Sequence, residues 1–492
     1  MLNFAIHRDD PQPIYEQLKA HLVRQIEHGV LAAGERLPSS RDLAEQLGIG
    51  RISVVTAYED LKLAGYLEAR VGRGTFVAER EIAPDERPAA LTGSAADRSE
   101  ALLDLMKLVK RPDVLNFSQG TPADSFLPVD VVGQAINQVL ARDGAAAIAY
   151  EAPNGYLPLR EAIAERVAQV GIHVDAEEVL ITGGCQQALD LAVQALLSPG
   201  DVILTSNPTY AGMIEITRAR GVTPVGVPVD EDGLVTDRLE ALIIEHRPRL
   251  IYVAPTYHNP TGTVMPLHRR RHLLRLAQRY HLPVLEDGVY EDLSYVGHPP
   301  PPLKALDDSG LILYASSFSK VLMPGMRIGY LLAGERLYER VARVKRAADV
   351  CTPALNQRAL HAALTSGALG THLAEVKAAC IQRRAATLAA LAHYWPEVQF
   401  TPAGGGLYQW LQLPQVGPTA TELFIEAVHQ GVAFAPGDLF YVGGGDSYHL
   451  RFNMVAQPPH LIDEGVGQLA DIWRRLAEER SYHAHSTTPM VL

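Results

Sequence analysis

The N-terminal part of the chain carries apolar residues at helical spacing, followed by a short stretch of alternation. A first helix is predicted from a stripe that recurs every four residues, namely Ile14, Leu18, Leu22 and Ile26. Ser39, with Asp42 as its capping-box partner, is expected to cap a second helix. A third helix is predicted from the i, i+3, i+4 and i+7 positions Val54, Ala57, Tyr58 and Leu61. Residues 66–70 and 75–77 alternate around a Gly-Arg-Gly turn, which indicates a β-hairpin.

A stretch without periodicity separates this part from the rest of the chain. Residues 83–96 contain Pro, Ala and polar residues and are predicted to form a linker. Beyond them, helical patterns alternate with short continuous apolar runs, such as 179–182, 202–204, 250–253 and 283–286. Such runs indicate a mostly parallel sheet that is buried on both faces, and ligands of these sheets bind beyond the carboxyl ends of the strands.

Length and composition narrow the class of protein. A chain of 492 residues is too long to fold around a single hydrophobic core, and its length suggests two to four domains. A hydrophobic content of 47 % with 20 % charged residues is ordinary for a soluble globular protein. We find neither an apolar run of membrane-spanning length nor a signal-peptide pattern, so no membrane contact is expected. The three cysteines, Cys185, Cys351 and Cys380, are scattered, which predicts no disulfide framework and no metal site and favours the cytoplasm.

The most informative chemistry surrounds Lys320. This lysine follows an apolar run, with Ser317 three positions before it and Arg327 seven positions after it. An amine can form a Schiff base with an aldehyde, while a hydroxyl and a guanidinium can hold a phosphate dianion. Taken alone, the segment could equally be a solvated lysine at a strand end. Five further motifs accompany it, namely Gly-Gly-Cys-Gln-Gln at 183–187, Asn-Pro-Thr-Tyr at 207–210, Asn-Pro-Thr-Gly at 259–262, Glu-Asp-Gly-Val-Tyr at 286–290 and Leu-Arg-Phe at 450–452.

In this order and at these separations, the motifs resemble the fold-type-I, class I/II aminotransferases, which use pyridoxal 5'-phosphate (PLP). The resemblance runs from about Asp104 to the last helix. It implies an α/β domain with a mostly parallel sheet and a small C-terminal α+β part, with Lys320 as the Schiff-base lysine and proton shuttle. Phosphate-binding residues implied by the resemblance are Gly184, Cys185 and Gln186 at a helix start, Ser317, Arg327, and Tyr150 from a second subunit. The role of Tyr150 implies a homodimer.

The resemblance also assigns residues that would contact the pyridine ring of PLP and an amino acid-like ligand. Tyr210 would stack on the pyridine ring, and Asp287 would pair with its protonated nitrogen. Asn259 and Tyr290 would bond its phenolic oxygen. Gly120 and Arg451 would receive the α-carboxylate of an amino acid-like effector or substrate. For single positions a plainer interpretation stays open, since Tyr210 could be a loop aromatic and residues 184–186 an ordinary strand-to-helix turn.

The N-terminal order of helix, helix-turn-helix and hairpin is the winged helix-turn-helix plan. Residues 13–15, 37–44 and 57–61 resemble the GntR family of transcription regulators. In that family the third helix enters the major groove of double-stranded operator DNA and the wing meets its backbone. The DNA contacts expected here are Ser39, Arg41, Arg51, Ser53, Thr56 and Arg73. Two positions depart from the family, because Gly50 stands where Ser or Thr is usual and Ile52 where a small polar residue is usual.

Charge adds little to the expected attraction for DNA. Residues 1–78 contain nine Lys/Arg and ten Asp/Glu, and the whole chain has 44 basic against 56 acidic residues, a net charge of −12. Nonspecific affinity from counterion release should therefore be modest, and two copies of the module should act together. The basic run His268-Arg269-Arg270-Arg271-His272, with Arg275 and Arg279, is interpreted as the solvated face of a helix rather than as a second DNA-binding patch.

A GntR-type winged helix joined to a complete aminotransferase-like domain resembles the MocR subfamily of bacterial regulators. The predicted division is a DNA-binding domain at 1–78, a linker at 79–98, a PLP-binding domain at 99–480 and a loose tail at 481–492. Within the PLP-binding domain, the large part would cover about 112–340 and the small part about 341–480. The predicted function is a PLP-dependent transcription regulator that senses an amino acid-like effector. The alternatives are an active aminotransferase with an accessory DNA-binding module, and a regulator that senses PLP itself.

Overall fold

The computed structural model divides the chain into two compact units, Met1–Ala89 and Ala90–Leu492. We describe each unit by itself. The described residues are 14–15, 17–19, 22, 34, 36–63, 66–70, 74–78, 109, 114–121, 123–444 and 448–486. Ile26, Arg73 and the predicted linker at 79–98 lie outside them.

The first unit contains helices α1 (Ser40–Leu47) and α2 (Arg51–Leu63) and an antiparallel hairpin of β1 (Leu67–Arg70) and β2 (Gly74–Val77). The cap of α1 is the predicted one, because the Asp42 backbone N–H donates to Ser39 Oγ at 3.2 Å. The predicted inner face of α2 is also confirmed. Its buried residues are Val54, Ala57, Tyr58 and Leu61, and they pack with Leu18 and Leu22 of the first helical stripe.

Helices and strands alternate through the second unit. Its helices are α3 (Val129–Asp143), α4 (Leu157–Ala168), α5 (Cys185–Leu196), α6 (Ala211–Arg220), α7 (Leu239–His246), α8 (Leu267–Tyr280), α9 (Leu303–Leu306), α10 (Glu335–Ala348), α11 (Ala354–Thr365), α12 (Ala368–Tyr394), α13 (Ala420–His429) and α14 (Pro459–Ser486). Its strands are β3 (Leu115–Asn116), β4 (Val179–Thr182), β5 (Val202–Asn207), β6 (Thr223–Asp230), β7 (Gly233–Leu234), β8 (Leu250–Val253), β9 (Val284–Asp287), β10 (Ile312–Ser317), β11 (Gly329–Leu332), β12 (Tyr408–Gln412), β13 (Val432–Ala433), β14 (Ala435–Pro436) and β15 (His449–Asn453).

The large sheet has the strand order β4-β11-β10-β9-β8-β5-β6-β7. Strands β10, β9, β8, β5 and β6 run parallel, whereas β11 is antiparallel to both of its neighbours and β7 is antiparallel to β6. Every residue of β4, β8, β9, β10 and β11 is buried, as continuous apolar runs between helices require. The mostly parallel sheet predicted from the sequence is therefore confirmed.

The smaller part is built on the antiparallel sheet β12-β15-β14, against which α12, α13 and α14 enclose a separate core. The division predicted at Val341 falls inside α10, where Val341 and Ala342 pack in a core cluster of the large sheet. Helix α10 thus belongs with the large sheet. The last helix continues to Ser486, so the tail predicted to be loose from Ser481 begins as helix.

Candidate functional site

A cavity of about 500 Å³ opens at the carboxyl edge of the large sheet. Asp287 is the last residue of β9, Ser317 is the last residue of β10, and Cys185 begins α5 shortly after β4. Polar side chains from separate motifs therefore meet at one edge, as expected for a sheet of this kind. The cavity is lined by Gly120, Cys185, Gln186, Tyr210, Asn259, Asp287, Tyr290, Ser317, Lys320, Arg327 and Arg451, all of which were candidates from the sequence, and by Tyr408, Leu439 and Phe440, which were not.

One side of the cavity is a cradle of glycine backbone and arginine. Gly184 adopts φ 100° before the first turn of α5, and a Cβ there would lie 2.4 Å from Arg327 Nη2. A Cβ on Gly329 would lie 2.5 Å from the Gly184 carbonyl carbon. Arg327, itself in the left-handed region at φ 53°, donates from Nη2 to the Gly183 carbonyl at 2.9 Å. The free N–H groups at the start of α5 and this guanidinium form a site suited to an anion.

Two serine hydroxyls lie beside this cradle. Ser317 Oγ is 2.8 Å from Ser319 Oγ and also donates to the Ile328 carbonyl at 2.9 Å. The Ser319 backbone N–H donates to Ser317 Oγ at 3.1 Å, which fixes the turn that leads to Lys320. The position of the lysine side chain is thus set by the strand end and by this short hydrogen-bonded turn.

Asp287 forms the polar floor of the cavity. Tyr252 donates its hydroxyl to Asp287 Oδ2 at 2.9 Å, the Val289 backbone N–H donates to Oδ1 at 3.2 Å, and Cys185 Sγ lies 3.7 Å from Oδ1. Burial raises the pKa of Asp287 above its usual range, and these hydrogen bonds and Lys320 offset part of that effect. Burial also raises the pKa of the Cys185 thiol well above its usual range, so the thiol is a neutral donor to this carboxylate. A buried carboxylate of this kind is suited to a cationic ligand group.

Tyr210 and Gln186 close one wall. Tyr210 precedes α6 and donates its hydroxyl to Gln186 Oε1 at 2.9 Å, while Gln186 Nε2 donates to the Gly212 carbonyl at 3.3 Å. A Cβ on Gly212 would lie 2.5 Å from the Tyr210 ring, so this glycine gives the ring its position. The Tyr210 hydroxyl is held by Gln186, and a face of the Tyr210 ring stays available for stacking.

Arg451 is buried and points its guanidinium into the cavity, where it is only 8 % exposed. Nη1 donates to Asn259 Oδ1 at 2.9 Å and Nη2 donates to the Ser118 carbonyl at 2.8 Å. Nε is buried, and the described part of the chain offers it no hydrogen-bond partner. The guanidinium also forms no ion pair with a carboxylate among those residues. A buried arginine with a free donor requires an anion or a polar ligand.

The backbone of residues 118–121 accepts hydrogen bonds from side chains in and near the cavity, which Gly120 lines. Lys320 Nζ donates to the Gly120 carbonyl, and Asn453 Nδ2 donates to the carbonyls of Gln119 at 2.8 Å and Thr121 at 3.0 Å. A Cβ on Gly120 would lie 3.3 Å from the Tyr408 hydroxyl and 3.9 Å from Lys320 Nζ. Glycine at this position therefore keeps the space beside the lysine amine open.

Tyr408 is the main site residue that our sequence interpretation missed. Its hydroxyl accepts a hydrogen bond from Tyr290 at 3.3 Å, and its ring lies 4.0 Å from the Arg451 guanidinium carbon. The sequence does mark this place, because the glycine run 404–406 lies one residue before the strand that carries Tyr408. Tyr252 was also missed, although a tyrosine within a buried strand needs a partner for its hydroxyl.

These residues fit PLP on structural grounds. A side chain at position 184 would fill the cradle of Gly184 and Arg327, so glycine keeps this space open. Because hydrogen-bond donors line the cradle, it suits a phosphate. The buried Asp287 carboxylate suits a protonated pyridine nitrogen, and the Tyr210 ring suits stacking on a planar heterocycle. Lys320 contributes a primary amine to the same cavity.

Tyr150 is not brought to this cavity. It follows the end of α3 by a short turn and is 86 % exposed on the surface of the second unit. Tyr150 does not line the cavity of its own chain, and its predicted contact with the phosphate would have to be made in a second copy.

The predicted DNA contacts that the structure describes lie at and near the starts of α1 and α2. Ser39 and Arg41 are exposed around the start of α1, and Arg51 is exposed at the start of α2. Ser53 and Thr56 lie half-buried in the first two turns of α2. Arg51 Nε donates to Ser40 Oγ at 3.4 Å, which links the two helix starts. Arg73 lies outside the described residues.

Most of the basic run on α8 forms the solvated face that was predicted, because His268, Arg271, Arg275 and Arg279 are exposed. Arg269 forms a two-bond ion pair with Asp230, with N–O distances of 2.6 and 2.7 Å, and Arg279 pairs with Glu240 at 2.7 Å. Arg270 differs from the solvated residue that we expected. It is fully buried and donates to the Met265, Pro255 and Pro301 carbonyls and to Thr256 Oγ1.

Comparisons with known proteins agree with this geometry. Residues 112–469 match the aminotransferase class I and II family, and residues 14–77 match the gntR family of bacterial regulatory proteins. The HTH-type transcriptional regulator YisV of Bacillus subtilis is 31 % identical over 95 % of this chain and 98 % of its own length. Aromatic-amino-acid aminotransferase 1 of Thermococcus litoralis is 33 % identical over 76 % of this chain and 91 % of its own.

Solved structures give the same result for the second unit. The α-aminoadipate aminotransferase LysN of Thermus thermophilus, solved with N-(5'-phosphopyridoxyl)-L-leucine, superposes with a TM-score of 0.72. It is 33 % identical to this chain, over 81 % of this chain and 98 % of its own. Within the described residues, we find no helix that is long and apolar enough to cross a membrane.

Proposed function

Because the chain belongs to the MocR-type regulators, in which a GntR-family DNA-binding module is fused to an aminotransferase class I and II domain, we propose that its operator affinity responds to an amino acid-like effector bound beside PLP. PLP is the cofactor of this family. When bound, it supplies an aldehyde that reacts with primary amines and a ring that withdraws electrons. As a protein that acts on operator DNA, the regulator works in the cytoplasm.

The residues around the cavity would hold the cofactor as follows. Gly184, Cys185 and Gln186 at the start of α5, with Ser317 and Arg327, bind the phosphate. Tyr210 stacks on the ring, Asp287 holds a proton on the ring nitrogen, and Asn259 and Tyr290 bond the phenolic oxygen. Lys320 provides the amine, and its Nζ faces the carbonyl of Gly120, where a ligand amine would arrive.

The single observation that carries the effector proposal is Arg451. Its charge is buried, its Nε is without a partner among the described residues, and its neighbours are a carbonyl, an amide and two aromatic rings. A carboxylate would satisfy both the charge and the free donor. Gly120 leaves room for such a group next to Lys320, so an α-amino carboxylate fits both ends of the space.

The DNA-binding form in this proposal is a homodimer. The near-neutral first unit has little nonspecific attraction for phosphates, so two modules on two half-sites would raise affinity through effective concentration. The exposed Tyr150 supports the same assembly, because it would reach the phosphate site of the second copy.

An active aminotransferase is the second candidate. The observation that favours it is the position of Lys320 Nζ, which faces the open space beside Gly120 and could move a proton to or from a ligand there. Relatives of the second unit include named aminotransferases. The two candidates differ in whether ligand binding changes DNA affinity and whether a keto acid is released.

The test uses the full-length chain loaded with PLP and a fluorescent duplex from the DNA upstream of its gene. We expect one amino acid in a panel to change duplex affinity in a saturable manner, with slow keto acid formation. Arg451→Lys should weaken that ligand by about 1.5–3 kcal/mol, because a two-bond charged contact is lost, while the cofactor absorbance remains. Arg475→Lys is the matched control, since Arg475 pairs with Glu426 on the surface. Rapid turnover with DNA affinity indifferent to the ligand would favour the enzyme.

A further inference from the structure

Helix α2 displays two branched aliphatic side chains to solvent. Ile52 is 79 % exposed and Val55 is 38 % exposed, and they are the exposed large hydrophobic residues of the first unit within its described part. Their spacing of three residues places them side by side in the first two turns. The core of this unit is already filled from the opposite face of α2, where Val54, Ala57 and Leu61 are buried. Neither exposed side chain belongs to that core.

The surroundings of this pair point to DNA as its occupant. Arg51 is exposed directly before Ile52, and Ser53 and Thr56 lie beside it with hydroxyl groups. Toward the other end of α2, Glu59 pairs with Lys62 at 2.9 Å, whereas Arg51 at the start of the helix has no acidic partner among the described residues. In a helix-turn-helix, the first residues of the second helix approach the base edges of the major groove.

On this basis, which rests on the proposed DNA-binding function, we propose that Ile52 and Val55 recognise the 5-methyl group of thymine in each half-site. The thymine methyl is the apolar group that bases display in the major groove. The other groups on the base edges are hydrogen-bond donors and acceptors, which an isoleucine would desolvate without bonding. The pair thus accepts thymine and disfavours bases with polar edges at that position.

The contact of Ile52 and Val55 with thymine matters for DNA affinity because the module attracts phosphates only weakly. With nine basic and ten acidic residues over positions 1–78, the module gains little from counterion release. Base contacts must then supply a larger share of affinity. The start of α2 is open to solvent, because Gly50 is exposed and a Cβ built on it would meet nothing within 4 Å. Ile52 itself is 79 % exposed and is therefore accessible to a base pair.

The test removes a single methyl group from DNA. The full-length chain first enriches duplexes from a random-sequence pool, and each thymine of the enriched site is then replaced in turn by deoxyuridine. At one position per half-site, we expect affinity to fall about fourfold, the effect of one buried methyl group. The double variant Ile52→Ala/Val55→Ala should bind the thymine and uracil duplexes equally, and Ile52→Ala alone should show a smaller difference than wild type. Val416→Ala, at an 86 % exposed position of the second unit, should retain the full difference.

Four other results of this experiment would contradict the methyl contact or the DNA-binding proposal. Wild-type protein that binds the enriched site but is indifferent to every uracil replacement would overturn the methyl contact and leave DNA binding intact. An equal uracil penalty in wild type and Ile52→Ala would also overturn it. If the pair instead joined two copies of the module, Ile52→Ala would lower the dimer mass and weaken both duplexes alike, which again contradicts the inference. Failure to enrich any duplex would overturn the DNA-binding proposal itself.

Discussion

The guanidinium carbon of Arg451 lies 4.0 Å from the centroid of the Tyr408 ring. The same tyrosine accepts a hydrogen bond from Tyr290, so two phenols and one cation form a contiguous group at the ligand end of the cavity. Burial raises the pKa of Tyr290 well above its usual range. Burial acts in the same direction on Tyr408, but Arg451, Lys320 and the hydrogen bond from Tyr290 bring the pKa of Tyr408 below its usual value.

Titration of Tyr408 tests this arrangement. In the cofactor-free chain, tyrosinate absorbance should show one transition below the ordinary tyrosine range, and Tyr408→Phe should remove it. Arg451→Met should move that transition to higher pH, because the cation that stabilises the phenolate is lost. Tyr252→Phe is the control, since burial raises the pKa of Tyr252 well above its usual range. A difference spectrum between wild type and Tyr408→Phe that lacks the low transition would contradict the arrangement.

Asp287→Asn should weaken PLP binding by about 1.5–3 kcal/mol, because the buried carboxylate would no longer pair with a protonated ring nitrogen. Equilibrium dialysis of PLP against the cofactor-free chain measures the effect. Asp308→Asn removes a carboxylate from the surface, where it bonds Gln278, and should leave PLP affinity unchanged. Equal PLP affinity of Asp287→Asn and wild type would exclude Asp287 as the partner of the ring.

Gly184→Ala should damage the anion cradle. The added Cβ would lie 2.4 Å from Arg327 Nη2, and alanine is strained at φ 100°. We expect a loss of about 1–3 kcal/mol in unfolding free energy, measured with urea, together with weaker PLP binding. Gly325→Ala lies in the neighbouring loop with nothing within 4 Å of its Cβ and should change stability by less than about 0.5 kcal/mol. Similar behaviour of the two variants would argue against a cradle set by Gly184.

Glu286 should make the stability of the second unit depend on pH. Burial raises the pKa of this carboxyl from 4.5 to about 7, although Arg270 and the N–H groups of Leu303 and Lys304 act in the opposite direction. The folded state therefore binds more protons than the unfolded state between these values. The stability contribution is fully present below pH 4.5 and is lost as the pH rises through about 7.

Glu286→Gln is expected to flatten this dependence, as measured by the thermal unfolding midpoint between the same two pH values. The variant loses one acceptor for the N–H groups of Leu303 and Lys304, so the slope with pH, and not the absolute midpoint, is the relevant readout. Glu231→Gln, at an exposed position, should retain the wild-type slope. An unchanged slope in Glu286→Gln would show that another group dominates. Glu291 is the first to test, because burial raises the pKa of its carboxyl as well.

The elements that were predictable from the sequence are those whose signals are local. The buried strands show continuous apolar runs, and Asp287, Ser317 and Lys320 lie within a few residues of strand ends. The cap at Ser39 is likewise a local pattern of four residues. Residues that act through tertiary contact were harder to find. Tyr408 reaches Tyr290 and Arg451 only because β12 and β15 pair in the smaller sheet.

The sequence pattern around Arg270 predicted its burial, but the basic run in which it lies led to the opposite interpretation. Its neighbours at i+3, i+4 and i+7 are Leu273, Leu274 and Ala277, all buried, so the arginine occupies a position on the apolar stripe of α8. The basic run around it suggested a solvated face. Only the fold supplies the three carbonyls and the Thr256 hydroxyl that make a buried guanidinium tolerable.

The backbone at Ser118 and Gly120 turns ligand binding into a competition. Ser118 and Gly120 offer their carbonyls to the cations of Arg451 and Lys320, the two side chains proposed to receive the ends of an amino acid. A ligand that takes these donors displaces the protein's own chain from them, and its net affinity is reduced by the strength of the contacts it replaces.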